Sequence, residues 1–124
     1  MINRFVPWVA VIGGTVIATV FAPAAAWAEK RVALVVGNAA YQMVPQLPNP
    51  SRDASAVAKM FREAGFDTVE TQLNVGNLDF KRAIRRFEGI SDQADIAVVY
   101  YAGHGLEIGG VNYMIPVDAR LASD

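Results

Sequence analysis

Two short runs of almost uninterrupted apolar residues set the main limit on how this chain can fold. The first, Arg31 to Gly37, reads Arg-Val-Ala-Leu-Val-Val-Gly. The second, Asp95 to Ala102, reads Asp-Ile-Ala-Val-Val-Tyr-Tyr-Ala. An apolar run of this length is typical of a strand buried on both faces of a parallel sheet. Such a sheet needs helices on its faces, and the segment between the runs is expected to supply them.

The first helix is predicted after the proline-punctuated loop 38–50. Its apolar residues recur at i, i+3, i+4 and i+7, from Ala54 to Phe61, and form one stripe along the helix. Ser51 is predicted to cap the helix, and Asp53 in the first turn suits the positive end of the helix dipole. Gly65 is predicted to end the helix in a left-handed conformation.

The second helix repeats the same spacing from Phe80 to Phe87. Asn77 or Asp79 is predicted to cap it, and Gly89 to end it. A strand is predicted between the helices over residues 66–73.

A β-hairpin is predicted after the second apolar run, over residues 106–116, with its turn at Gly109-Gly110. Tyr100, Tyr101 and Tyr113 are expected to be half-buried sheet aromatics. The order is therefore β-α-β-α-β-hairpin, an α/β fold in which right-handed crossovers join parallel strands.

The N-terminal segment is set apart from the domain by its composition. Arg4 precedes a stretch from residue 5 to residue 28 without a charge, and this stretch ends in Ala26-Trp27-Ala28, an A-x-A cleavage pattern. These features indicate a signal peptide over residues 1–28 and a domain over 29–124, so the product is expected to be exported, periplasmic or secreted. The length also permits a retained membrane anchor, which is the alternative.

The charge and cysteine content exclude several classes of function. After removal of Arg4, ten Lys and Arg face twelve Asp and Glu, a formal charge of −2 without any basic run. Binding to nucleic acid or to an anionic membrane therefore has no electrostatic support. The chain has no cysteine and one histidine, so neither a disulfide nor a metal site is expected, and no cofactor is predicted.

The one histidine, His104, follows the second apolar run directly and lies between Gly103 and Gly105. Ligands of open α/β sheets bind at the carboxyl ends of the strands, where this residue is predicted to lie. Imidazole is suited to proton transfer near neutral pH, and the Gly105 N–H could point at a developing oxyanion. A structural histidine in a turn is the alternative.

Asp53 is a second candidate, because a helix that follows the first strand begins at the same edge of the sheet. If the first and third strands are neighbours, Asp53 and His104 are expected to share a crevice. The alternative role of Asp53 is to interact with the helix dipole only.

The motifs at these positions resemble those of caspase-like cysteine peptidases, and the metacaspase and paracaspase branches more than the apoptotic caspases. The resemblance covers the whole domain, and Tyr100-Tyr-Ala-Gly-His104-Gly105 after an apolar strand is its most specific part. Four further segments carry it: Val32 to Tyr41, Leu47 to Ala54, Gly65-Phe66, and Asn112 to Ala119. It implies a three-layer sandwich with a mostly parallel sheet, truncated here before its last strands.

The resemblance also implies roles for individual residues. His104 matches the catalytic histidine, Gly105 matches the glycine whose N–H lines the oxyanion hole, and Asp53 matches an aspartate in the pocket for the residue before the cut bond. Apoptotic caspases bind an aspartate there through an arginine of the preceding loop, and the loop 44–50 has none. The complete protein is therefore expected to cleave peptides or proteins after Arg or Lys.

The family's cysteine follows its histidine by about 50 residues, which corresponds to position ~150. The chain as given is therefore expected to be inactive by itself and to leave a sheet edge exposed. Two alternatives remain. One is a catalytically inactive pseudopeptidase that serves as an exported binding or scaffold module. The other is an unrelated α/β protein that binds a small ligand. The sequence does not indicate an oligomeric state.

Overall fold

The computed structural model describes residues 29–120, and the predicted signal segment, residues 1–28, lies outside the described residues. Seven elements follow one another in the predicted order β-α-β-α-β-hairpin. They are β1 (Arg31–Gly37), α1 (Pro50–Glu63), β2 (Thr68–Leu73), α2 (Asn77–Ser91), β3 (Ile96–Ala102), β4 (Gly105–Ile108) and β5 (Val111–Met114). The fold is an α/β domain, as expected from the two apolar runs.

The central sheet has three parallel strands in the order β2-β1-β3. Gly37, at the end of β1, lies opposite Leu73 of β2 and Ala102 of β3. The carboxyl ends of all three strands therefore meet at one edge. The condition under which Asp53 and His104 approach each other, that the first and third strands are neighbours, is met.

The two helices cover opposite faces of β1. Val32, Leu34 and Val36 pack in a cluster with residues of α2, whereas Val35 packs with residues of α1. Residues 32–36 are fully buried as a result. Right-handed connections require this arrangement, because the chain moves from β1 to β2 in one direction and returns past β1 to β3 in the other.

Strand β3 is less protected than β1, although both are apolar runs. Within residues 29–120, β3 pairs with β1 alone, and Val99 is 48% exposed. Ile96 is exposed as well. This part of the structure matches the exposed sheet edge expected from the sequence, and burial of an apolar strand thus depends on a partner on each side.

Helix α1 begins at Pro50, before the residue predicted to cap it, so the prediction that Ser51 caps the helix is wrong. Proline presets the backbone angle of the first helical position and has no N–H to satisfy. Asn49 is the residue before the helix, and Ser51 lies within the first turn, where its hydroxyl has no hydrogen-bond partner among residues 29–120. Gly65 does end the helix, at φ +80°.

Helix α2 is capped from a distant part of the chain, so the predicted caps Asn77 and Asp79 are wrong. The backbone N–H of Asn77 donates to the carboxylate of Asp118 at 2.8 Å. A Cβ at Gly76 would lie 2.6 Å from that carboxylate, which explains the glycine before the helix. Gly89 does not end α2 either, because the helix continues to Ser91 and brings Ile90 onto the core.

The hairpin β4–β5 turns at Gly109-Gly110 as predicted, with both glycines at positive φ. Its residues are exposed, so Tyr113 is not half-buried, in contrast to Tyr100 and Tyr101. Among residues 29–120 the hairpin strands pair only with each other and form a sheet separate from the central one. Neither helix of residues 29–120 is long and apolar enough to span a membrane.

Candidate functional site

The residues after β1, β2 and β5 are tied together at the carboxyl edge of the sheet by one buried side chain. Asn38 is completely buried, and its Nδ2 donates to the carbonyl oxygens of Val75 at 3.4 Å and Ile115 at 3.2 Å. Its Oδ1 accepts from the N–H of Val75 at 2.9 Å. Its backbone N–H donates to Ala102 at 2.8 Å, next to the loop that carries His104. Each polar atom of this side chain has a hydrogen-bond partner, so Asn38 links the segments that follow β1, β2 and β5.

The imidazole of His104 is half-buried in the loop after β3 and is held by the loop after β1. Its Nε2 lies 2.8 Å from the carbonyl oxygen of Pro45. A carbonyl oxygen only accepts hydrogen bonds, so the neutral ring carries its hydrogen on Nε2. Nδ1 therefore keeps the lone pair that a proton acceptor needs.

The ring and the backbone of His104 both contact Tyr41. The two ring centroids are 4.5 Å apart at an interplanar angle of 56°. The N–H of His104 donates to the Tyr41 hydroxyl at 2.7 Å. The carbonyl oxygen of His104 accepts from the Tyr101 hydroxyl at 2.8 Å and from the N–H of Ile115 at 3.1 Å. The loop is thus held from three elements.

The two glycines beside His104 differ in what their surroundings require. A Cβ at Gly103 would lie 2.5 Å from the hydroxyl oxygens of both Tyr41 and Tyr101, so the position has no room for a side chain. Gly105 is exposed and opens β4, and a Cβ there would only reach ordinary contact with the Tyr113 carbonyl at 3.6 Å.

Asp53 lies in the first turn of α1, at the carboxyl edge of the sheet, with its side chain 49% exposed. Its carboxylate lies 4.0 Å from the guanidinium of the neighbouring Arg52. Among residues 29–120, no hydrogen bond or ion pair joins Asp53 to His104. Gly37 brings the helix close to β1, because a Cβ there would lie 2.6 Å from Ala54 and Pro50.

A groove of about 540 Å³ lies between α2 and β5. It is lined by Phe80, Ile84, Tyr113 and Met114 and is flanked by Lys81 and Arg85, among others. Neither His104 nor Asp53 lines it. The groove is therefore separate from the predicted site, and we place the candidate site at the sheet edge on the geometry of His104.

The structure brings residues into the site that the sequence analysis did not select. They are Asn38, Tyr41, Pro45 and Tyr101. Tyr101 is half-buried as expected, but its hydroxyl has a polar role that its position in a strand did not reveal. An asparagine directly after a buried strand was the one available signal for Asn38, because a polar side chain at that depth requires partners.

Burial raises the pKa of Tyr101 above its ordinary value of 10.0, and the hydrogen bond with Tyr41 raises it further. The ring of Tyr101 also stacks on Phe80 of α2, with centroids 5.9 Å apart. The phenol is thereby kept neutral, with its hydrogen available for donation, throughout the neutral pH range.

This pKa shift predicts a loss of stability in alkali that depends on Tyr101. The unfolded phenol ionises at a lower pH than the folded one, so the full contribution is present below about pH 10 and declines above it. Urea midpoints measured between about pH 9 and pH 11 are expected to fall more steeply for the natural chain than for Tyr101→Phe. Equal slopes in the two proteins would contradict the prediction.

Comparisons with known proteins identify the family of this chain. The sequence model of the caspase domain matches residues 30–123. Mucosa-associated lymphoid tissue lymphoma translocation protein 1 of Homo sapiens is 34% identical over 92 residues, which cover 74% of this chain. Its Mus musculus homolog is similar to the same extent. The chain spans 11% of the length of each of these relatives.

Proposed function

Because this chain belongs to the caspase-domain family, peptidase C14, we propose that the complete protein is a cysteine endopeptidase in which His104 transfers the proton. The hydrogen bond from Nε2 of His104 to the Pro45 carbonyl is the observation that carries the proposal. It fixes the ring and leaves Nδ1 as the basic nitrogen, which is the arrangement that activation of a thiol requires.

The chemical steps follow from that tautomer. Nδ1 takes the proton of a cysteine thiol, and the thiolate attacks the carbonyl carbon of the substrate peptide bond. The imidazolium then gives the proton to the departing amine, which leaves a thioester. Attack by water, assisted by the same nitrogen, releases the acid and restores the thiol. The chain contains no cysteine, so the thiol belongs to a residue of the complete protein outside this sequence.

The surroundings of His104 suit this proton transfer. The imidazolium formed in the first step keeps its donor bond to Pro45, so its positive charge stays next to a carbonyl dipole. The N–H of Gly105, one residue further on, is proposed to donate to the oxyanion. The role of Gly105 rests on its place beside His104 at the start of β4 and on the family resemblance.

The same proposal includes selectivity for Arg or Lys before the cut bond and export of the protein. Selectivity is supported by the exposed carboxylate of Asp53 at the carboxyl edge of the sheet and by the absence of arginine from the loop 44–50. An acidic group stabilises a cationic side chain as it leaves water. Export is supported by the A-x-A pattern that ends at Ala28.

Fluorogenic peptides that differ only in Arg or Asp at that position test the selectivity. The complete protein is expected to cleave the Arg peptide faster, and Asp53→Asn to lower kcat/KM for it by about tenfold or more. Asp79→Asn is the matched control, because Asp79 is also exposed in the first turn of a helix beside an arginine. Faster cleavage after Asp, or an equal loss in both variants, would rule out this role of Asp53.

A further inference from the structure

Two tyrosine hydroxyls contact the backbone polar groups of His104. Tyr41 accepts from the N–H of His104 at 2.7 Å, and Tyr101 lies 2.8 Å from its carbonyl oxygen. The hydroxyl oxygens of the two tyrosines are 3.0 Å apart. Tyr41 comes from the loop after β1 and Tyr101 from β3, so the contacts link residues far apart in the chain.

The hydroxyl hydrogens of this cluster can be assigned by counting donors. Tyr101 lies 2.8 Å from the carbonyl oxygen of His104 and 2.9 Å from that of Ile115. Neither carbonyl can donate, so the one Tyr101 hydrogen lies towards these two oxygens, and the shorter contact is the one to His104. The raised pKa of Tyr101 is consistent with a hydroxyl that keeps this hydrogen.

The Tyr41 hydrogen is assigned next. The Tyr41 hydrogen has two acceptors within reach, and the nearer one is the Tyr101 hydroxyl at 3.0 Å. The other acceptor is the Ile115 carbonyl at 3.1 Å, which also accepts from Asn38 at 3.2 Å, so donation to Tyr101 leaves this oxygen with a partner. The hydrogen bonds then run from the His104 N–H to Tyr41, to Tyr101, and back to the His104 carbonyl.

We propose that Tyr41 and Tyr101 are positioning residues that hold His104 through this closed circuit of three hydrogen bonds. The circuit begins and ends on one residue, so it restricts both backbone dihedral angles of His104. Tyr41 also contacts the imidazole ring. Gly103 makes room for the circuit, because a Cβ at this position would lie 2.5 Å from both hydroxyl oxygens.

The circuit itself stands on the geometry, whereas its importance for catalysis rests on the proposed function. Proton transfer from a thiol requires the imidazole within hydrogen-bond distance, and a small misplacement of a catalytic group lowers the rate strongly. A rigid backbone at His104, together with the Nε2 bond to Pro45, leaves the ring in one orientation. The tyrosines would therefore act on kcat and not on substrate binding.

Hydrogen exchange of the His104 amide tests the circuit without reference to activity. Tyr41→Phe removes the acceptor of this N–H and keeps the ring, so exchange of the amide is expected to accelerate about tenfold or more. Tyr101→Phe removes the return to the carbonyl and is expected to accelerate it less. Tyr100→Phe is the matched control and should leave it unchanged, because Tyr100 packs on the α1 side of the sheet.

Exchange of the Leu34 amide in the fully buried β1 serves as the measure of global unfolding in each variant. An accelerated His104 amide with unchanged Leu34 supports the circuit. Equal acceleration of both amides, or no effect in Tyr41→Phe and Tyr101→Phe, overturns it. The ¹⁵N signals of the imidazole are a second measurement. The chain has one histidine, so these signals belong to His104 alone.

Activity of the complete protein separates the two proposals. Both Phe variants are expected to lower kcat about tenfold and to leave KM within about twofold. If the variants change the exchange of the His104 amide but the natural protein hydrolyses no peptide, the circuit is supported and the proposed peptidase function is overturned. If both variants leave hydrolysis and amide exchange unchanged, the proposed peptidase function is retained and the circuit is overturned.

Discussion

Replacement of His104 by alanine in the complete protein is expected to lower kcat/KM for an Arg peptide by about 10³-fold. In the proposed mechanism His104 takes the thiol proton and protonates the departing amine, so both halves of the reaction lose their proton carrier in the alanine variant. The measurement is steady-state hydrolysis of a fluorogenic peptide. Unfolding in urea confirms that the variant is folded.

Ile108→Ala is the control for this variant, because Ile108 lies four residues further on, at the exposed end of the hairpin strand β4. Its activity is expected to stay within a factor of about two, as for other exposed positions away from a site. Alkylation of the complete protein by iodoacetamide should also abolish hydrolysis. A natural protein that hydrolyses neither Arg nor Asp peptides and has no reactive thiol would instead support the inactive pseudopeptidase.

Replacement of Leu34 by alanine is expected to lower the free energy of unfolding by about 3 kcal/mol. Leu34 is fully buried at the centre of β1 and packs in the cluster that joins the sheet to α2. The substitution removes apolar contacts and leaves a cavity that neighbouring strands cannot fill. The measurement is the urea midpoint of the chain at constant m value.

Leu78→Ala is the matched control, since Leu78 is a leucine of α2 that is 61% exposed. Its effect is expected to stay within about 0.5 kcal/mol. Similar midpoints for the two variants would show that the face of the sheet covered by α2 is not a packed core. Such a result would also contradict the view that α2 supports Tyr101 through the stacking of Phe80 on its ring.

Local patterns in the sequence were sufficient to predict most of the fold. The apolar run at Arg31 to Gly37 became the buried central strand, and both helical stripes face the sheet. Gly65 and the Gly109-Gly110 turn behave as predicted, because positive φ is a property of the residue itself. Predictions of this kind depend on neighbours within a few positions of the chain.

The predicted cap Ser51 failed for a local reason, the adjacent Pro50, whereas the failed predictions for α2 concern groups whose partners lie elsewhere in the fold. The N-terminus of α2 is capped by Asp118, which follows Asn77 by 41 positions. Gly89 lies inside a helix because Ile90 still packs on the core. The spacing of polar residues near a helix end cannot reveal a cap that another loop supplies, because any free carboxylate at the right distance satisfies the N–H.

The sequence by itself determined the order of the elements, the parallel central strand and a histidine at the carboxyl edge of the sheet. Each depends on hydrophobic periodicity or on the conformational limits of one residue type. The tertiary structure alone decided the orientation of the imidazole, through the hydrogen bond to Pro45. It also decided the hydrogen bonds that Tyr41 and Tyr101 make to the His104 backbone. Tyr41 and Pro45 lie some sixty positions from His104 in the chain, and hydrogen bonds between such residues exist only once the sheet has brought β1 and β3 side by side.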